Sequence, residues 1–232
     1  MTLEAVIFGG IGTLAEVAEL DRAAWNAAFR AHDTGWVWSW DTYAELMRPG
    51  GDRQLAARYA AHLRQAVDAE ALDRTHQKQF AAMIAGGVPL RPGVARVLNW
   101  AARGGVKLAL VSRSEIEPVR ALLRATARAR GGTAFDVAIL RPDVARMAPH
   151  PEAMATALAA LDVGTGRAVA VVDTPVALEA ARGAGLPALA FPGRLAETGE
   201  AGERFAGAPS AHVLSPEALT TAWRGARNHA AE

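Results

Sequence analysis

The sequence predicts an α/β protein whose mostly parallel sheet is flanked by helices and interrupted, after its first strand, by an inserted all-helical segment. Three observations carry this. Residues 4–8, EAVIF, form a short apolar run ended by Gly9 and Gly10, which reads as a buried strand entering a loop. From Glu16 to about Ala85 apolar residues return every three or four positions with alanine between them, the spacing of amphipathic helices. Beyond Gly86 and Gly87 helical and short apolar segments alternate, and strands joined by single crossover helices make a parallel sheet covered on both faces.

The elements follow in order. The insert reads as AELDRAAWNAAFRAH, DTYAELM and one long helical stretch, DRQLAARYAAHLRQAVDAEALDRTHQKQFAAMIA. After it come the helix PGVARVLNWAARGG, the strand VKLALVS, the helix EIEPVRALLRATAR and the strand FDVAIL, then HPEAMATALAAL, AVAVVD, TPVALEAARGAG and PALAF in the same rhythm. Pro92 and Pro118 fall near helix starts, where a missing amide donor costs nothing, while Gly104, Gly105, Gly183 and Gly185 close helices before strands. The expected division is a core domain of residues 1–15 and 86–232 and a helical cap of residues 16–85. Both linkers then lie beside the carboxyl end of the first strand, where open α/β sheets bind ligands. Trp36, Trp38 and Trp40 alternate close to Tyr43 and admit two readings, cap core or a face for a ligand or partner. Trp223 is expected to pin a tail helix through its ring.

Composition removes several classes of function. The 232 residues, 51% of them apolar, suffice for one substantial core and a smaller satellite. With 25 basic against 24 acidic residues the net charge of +1 creates no field for nucleic acid or anionic lipid, and no basic aromatic stripe appears. The absence of cysteine excludes disulfides, thiol redox chemistry and cysteine-held metals, and the cytoplasm is the expected compartment. No apolar stretch approaches the roughly 20 residues a bilayer requires, and MTLEAVIFGG lacks the basic flank of a secretory signal, so no membrane association is expected. No ordered Ser, His and Asp set, HExxH or dinucleotide fingerprint is present.

The motifs lie at strand ends. AVIFGGIGTL resembles the FDxDGT loop of the haloacid dehalogenase-like phosphatases, with Phe8, Gly12, Thr13 and Leu14 in register and Gly9 and Ile11 at its two aspartates. The strand VKLALVS ends in Ser112 where that family has Ser or Thr. APHPE resembles the KPxPD/E segment, keeping Pro149, Pro151 and Glu152 with Ala148 at the lysine. VDTPVALEAARGAG resembles EDSxxGxxAAxxAG, keeping Asp173, Thr174, Ala180, Ala181, Ala184 and Gly185 with Val172 at the first acid and Ala177 at the glycine. The likeness extends over almost the whole chain to the CbbY branch and, more loosely, to β-phosphoglucomutases. There the cap stretch TGWVWSWDTYAELMRPGGDRQLAARY resembles an aromatic segment and a GGKER substrate loop, read here as Gly50, Gly51, Asp52, Arg53 and Gln54.

The resemblance implies a Rossmannoid core with a helical cap. In that family the first aspartate attacks phosphorus and helps hold magnesium, the second handles the leaving-group proton, and the lysine neutralises the phosphoryl group. Gly9, Ile11, Ala148 and Val172 can do none of this, so the expectation is a catalytically inactive pseudophosphatase with a binding, regulatory or scaffolding role. Thr13, Ser112 and Asp173 are retained family positions without a catalytic assignment. The partner would be a protein, with carbon-fixation proteins first by analogy, or a small anionic metabolite. The alternative is a residual or altered phosphatase or phosphomutase acting on a sugar phosphate. Mg²⁺ is not expected, because Asp173 alone is a poor octahedral site.

Possible anion-binding positions are Gly10, Ser112, Arg113, Arg146 and His150. Consecutive amides at Gly9 and Gly10 read either as an anion nest or as a relic loop, and the arginines either as an anion site or as solvated surface. His150 reads as structural or, far less simply, as a substitute nucleophile. Asp173 reads as a weak metal ligand or as a carboxylate capping amides and holding the loop of Thr13.

Overall fold

The computed structural model describes residues 2–47, 54–130, 135–197, 205 and 207–228. Among them, the apolar runs form β1 (Ala5–Phe8), β2 (Lys107–Val111), β3 (Val137–Ile139), β4 (Ala168–Val172) and β5 (Ala188–Ala190). They pair in parallel in the order β3-β2-β1-β4-β5. β1 lies at the centre, with Ala5 opposite both Lys107 and Ala168 and Phe8 opposite both Leu110 and Val171. Its four residues are buried because helices cover both faces, which is why the strand reads as a continuous apolar run rather than an alternating one.

The insert between β1 and the rest of the sheet contains α1 (Ala18–Ala31), α2 (Trp40–Met47), α3 (Leu55–Leu63) and α4 (Ala69–Ala85). The stretch read as one long helix is two. Arg64 turns left-handed at φ 54° after α3, and Asp68 starts α4 by accepting a hydrogen bond from the Ala71 amide at 2.9 Å. Capping here outweighs an alanine-rich pattern that would carry the helix through. Of the GGKER-like positions, Gly50, Gly51, Asp52 and Arg53 lie outside the described residues.

The remaining helices are α5 (Val94–Gly104), α6 (Ile116–Arg130), α7 (Glu152–Leu161), α8 (Pro175–Gly183), α9 (Arg194–Glu197) and α10 (Pro216–Asn228). Val6, Phe8, Leu110 and Val171 point to the face covered by Val97 and Leu98 of α5, Leu122 of α6 and Trp223 of α10. Ile7, Val111 and Val172 point to the opposite face, against Met154 and Leu158 of α7 and Leu178 of α8. The Trp223 ring packs as expected, and its Nε1 donates to the Gly166 carbonyl at 2.9 Å. Gly104 and Gly183 end their helices as the sequence suggests, with Gly105 at φ 65°. Among the described residues no helix is long and apolar enough to cross a membrane.

Where the chain leaves for the insert and where it returns, Ala15 bridges Leu90 and the Arg91 amide donates to the Leu14 carbonyl at 2.8 Å. Gly93, at φ 85°, follows directly, and any side chain there would overlap the backbone of Leu214.

The insert has its own core of Trp25, Phe29, Trp36, Trp38, Tyr43 and Leu72. Trp36 and Trp38 are therefore interior, edge-on to Phe29, whereas Trp40 meets the guanidinium of Arg194 at 4.0 Å from its ring centroid. The extended segment carrying these rings is fastened to α1 by Asn26. Its Oδ1 accepts from the Trp38 amide at 2.8 Å and its Nδ2 donates to the Trp38 carbonyl at 3.0 Å, both buried. Asn26→Ala strands that amide away from water and should cost about 2 kcal/mol in a urea melt; a change within ~0.5 kcal/mol would show that the segment is held by its rings alone.

Candidate active site

At the carboxyl ends of β1, β2 and β4 the sheet opens into a cleft of about 500 Å³, walled on the far side by α1, α2 and α4 of the insert. The loop after β1 forms its floor. Gly10 adopts φ 148°, a conformation that side chains rarely tolerate, and Thr13 donates from its hydroxyl to the Gly10 carbonyl at 2.5 Å. A short 3-10 turn over Ile11–Thr13 follows.

The replaced family positions are packed. A Cβ at Gly9 would meet Met154 Cε at 3.1 Å, Val172 Cγ1 at 3.2 Å and the Val171 carbonyl oxygen at 3.3 Å, so the surroundings of the glycine are tight. Ile11 is buried in the core on one face of the sheet and Val172 on the other. Ala148 lines the cleft and packs partly against the cluster around Met154.

Asp173, just past β4, is the carboxyl that reaches the floor. A Cβ at Gly10 would stand 3.0 Å from its Oδ1, and one at Gly12 would overlap its Oδ2, so these two glycines make the room it fills. Burial pushes its pKa up to about 6; the charges of Arg91 and Arg113 pull the other way, and Glu16 adds to the rise. The amide-capping role belongs instead to Thr174, whose hydroxyl accepts from the Ala177 amide at 3.2 Å. Asp173 does stand against the loop of Thr13, at Gly10 and Gly12, while the Thr13 hydroxyl itself bonds to Gly10.

Of the positions expected to bind an anion, Gly10, Ser112, Arg113 and His150 line the cleft together. Ser112 is buried, and its Oγ accepts from the Ser114 amide at 3.1 Å, which turns the loop after β2 inward. Arg146 is not in the cleft: it is largely exposed and pairs with Glu152 at 3.3 Å. The negative charge ahead of α7 draws it to the surface, a competitor that the motif alone did not reveal. His150 Nδ1 accepts from the Glu152 amide at 3.2 Å.

Apart from Tyr43, sequence reasoning passed over the other residues in and around the cleft. Arg141 donates to the Arg113 carbonyl at 2.8 Å. Arg91 donates to the carbonyls of Gly12 at 2.9 Å, Phe191 at 2.8 Å and Pro192 at 2.6 Å. On the insert, Asp21, Trp25, Tyr43, Asp73 and His76 form a wall facing the sheet. Burial raises the pKa of Asp73 and, with the charge of Asp21, holds the Tyr43 hydroxyl far above the usual phenol value. The available signal was Asp73, His76 and Phe80 at spacings of three and four, one helix face mixing polar and aromatic groups.

Magnesium, which the family uses, finds a poor donor set here. Among the described residues no group of three His, Cys, Asp or Glu side chains is placed to hold a metal. Asp173 stands without the carboxylates that Gly9 and Val172 replace in the family motif. No chemical step is assigned to the ion.

The fold and the floor loop define a class. A profile of the haloacid dehalogenase-like hydrolases matches residues 3–185, and the chain belongs to that family, within its CbbY-like branch. Protein CbbY of Cereibacter sphaeroides is 36% identical over 210 residues, covering 89% of this chain and 90% of that protein. CbbY from Rhodobacter sphaeroides in complex with phosphate superposes at a TM-score of 0.80 with 34% identity, over 94% of this chain and 100% of the other. A mutant of the same enzyme in complex with xylulose-1,5-bisphosphate gives the same score and identity over 94% and 99%.

These relatives overturn the expectation that the chain is not an enzyme, and with it the label of pseudoenzyme. The family is one of hydrolases, and its solved members at this identity hold a sugar bisphosphate and phosphate. The residues at positions 9, 11, 148 and 172 are facts of the sequence. The error lay in passing from the loss of one set of catalytic groups to the loss of the reaction.

A buried acid with a raised pKa makes the folded state favour the proton, so its stabilising effect is complete below the ordinary value near 3.8 and is lost as the pH rises past about 6. Asp173→Asn, neutral throughout, should therefore gain on the parent between pH 4 and pH 7. The gain is at most ~3 kcal/mol, reduced by the opening of the carboxyl to the cleft. Urea melts at the two pH values measure it; a variant that falls further behind at pH 7 would mean that the ionised form is the favoured one.

Proposed function

We propose that the chain is a phosphatase of altered machinery, hydrolysing a sugar phosphate in the cleft between the sheet and the helical insert. The observation that carries this reading is the joining, in one cleft, of Ser112, Arg113 and Asp173 on the sheet side with a polar wall on the insert. The kinship with CbbY proteins that hold phosphate and a sugar bisphosphate supports the substrate class.

Each group has a task. The Ser112 hydroxyl and the loop at Gly10 seat the phosphoryl oxygens, and the Arg113 guanidinium offsets their charge. Asp173 takes a proton from a water that attacks phosphorus directly, a role suited to a carboxyl that ionises near neutrality. Direct attack is favoured over a phosphorylated intermediate because Gly9 offers no nucleophile and Met154 and Val172 crowd its place. For the same reason a phosphomutase, which needs such an intermediate, fits less well. Ligation by a divalent ion has no part in this scheme.

Purified chain incubated with a panel of sugar monophosphates and bisphosphates should release inorganic phosphate at a rate unchanged by EDTA. Asp173→Ala should lower that rate by about 10²-fold or more, and Ser112→Ala by less. Release no faster than that of Asp173→Ala, prepared identically, would end the reading, and abolition by EDTA would return the reaction to a metal.

A further inference from the structure

Hydrolysis of a sugar phosphate demands a proton donor, because a sugar alkoxide is a poor leaving group, and the family's donor position is Ile11, buried in the core. We propose that His76, clasped by Asp21 on the insert's wall of the cleft, is the general acid that protonates the departing sugar oxygen; the inference rests on the phosphatase reading.

The geometry is that of an oriented imidazole. His76 Nε2 lies 2.9 Å from Asp21 Oδ1, with the two side chains only 11% and 16% exposed. The other oxygen of Asp21, Oδ2, accepts from the Tyr43 hydroxyl at 2.7 Å. A carboxylate only accepts, so Nε2 carries a hydrogen and Nδ1 is the atom left for substrate. The ring is held flat against Trp25, with centroids 3.9 Å apart and planes 9° apart, and stacks more loosely on Phe80 at 5.8 Å and 15°. The ring thus has a carboxylate on one nitrogen and an indole against its face, which fix its orientation in the cleft. The charged and titratable groups facing this ring are Asp21 from α1, Tyr43 from α2 and Asp73 on α4 itself, with Glu115 ahead of α6 acting on Asp73.

Two other proton donors in the cleft, Tyr43 and His150, are less suited. Tyr43 spends its hydrogen on Asp21 and is held far from ionising. His150 uses Nδ1 to accept an amide hydrogen at the start of α7. In the proposed step the oxygen of water bonds to phosphorus and its proton passes to Asp173. The bond from phosphorus to the ester oxygen breaks, and that oxygen keeps the electron pair and takes the Nδ1 proton of His76. Asp173 then loses its proton to solvent and His76 regains one, so the net change is the consumption of one water.

Leaving-group chemistry separates this role from a structural one. p-Nitrophenyl phosphate departs without protonation, whereas ribose 5-phosphate does not. His76→Gln should lower kcat for ribose 5-phosphate about 10²-fold more than kcat for p-nitrophenyl phosphate. Asp21→Asn should shift the same ratio in the same direction by about tenfold, a second route should the first variant fold poorly by circular dichroism. Equal losses on both esters, or none, in folded variants would overturn the assignment of His76 while leaving the phosphatase reading intact. Failure of the unsubstituted chain on both esters would overturn that reading and this inference together.

Discussion

Arg91 ties the ends of separate segments into one floor. Its guanidinium reaches the carbonyl of Gly12 in the loop after β1 and those of Phe191 and Pro192 after β5, and lies 3.6 Å over the Phe191 ring. Three carbonyls from two loops share this one donor group, and a planar fork can serve them at once. Because Arg91 also stands on the return linker, bonded through its amide to Leu14, the same residue links the site to the origin of the insert. The loop that carries Gly10 and faces Asp173 is thereby tied to the return linker and to the end of β5.

Around it the two walls are built on different physics. The sheet side is fixed by parallel pairing that leaves β1, β2 and β4 ending level, so that Ser112 and Asp173 emerge beside the floor loop. The insert side is fixed by aromatic packing, with Trp25, Phe29 and Trp38 holding α1 against the extended segment and His76 stacked on the outermost ring. Trp40 beneath Arg194, and Glu16 accepting from the Arg194 amide at 3.1 Å, join the two walls at their rim.

The fold was largely legible because its signals are local. Apolar runs such as AVIF and AVAVV declare buried strands, and proline and glycine mark helix ends within a few residues. The sheet side of the site was legible for the same reason: Gly9, Ser112, Ala148 and Asp173 each sit beside a strand or ahead of a helix. The insert wall was not, since Asp21 and His76 are 55 residues apart and meet only through the packing of α1 on α4. Arg146 was misplaced because the pull of Glu152 depends on how the chain turns before α7. The expectation of inactivity failed differently, by treating an inventory of missing groups as an account of the groups present.

The infill over Gly9 bears on how this sequence is connected to its relatives. A Cβ at position 9 would stand 3.1 Å from Met154 Cε, 3.2 Å from Val172 Cγ1 and 3.3 Å from the Val171 carbonyl oxygen. A side chain at position 9 therefore requires Met154 or Val172 to give by a few tenths of an ångström. Trimming either residue makes that room but leaves a void beneath the sheet's end. What position 9 can hold is set jointly with positions 154 and 172, so the cost of a change at one depends on the residues at the other two.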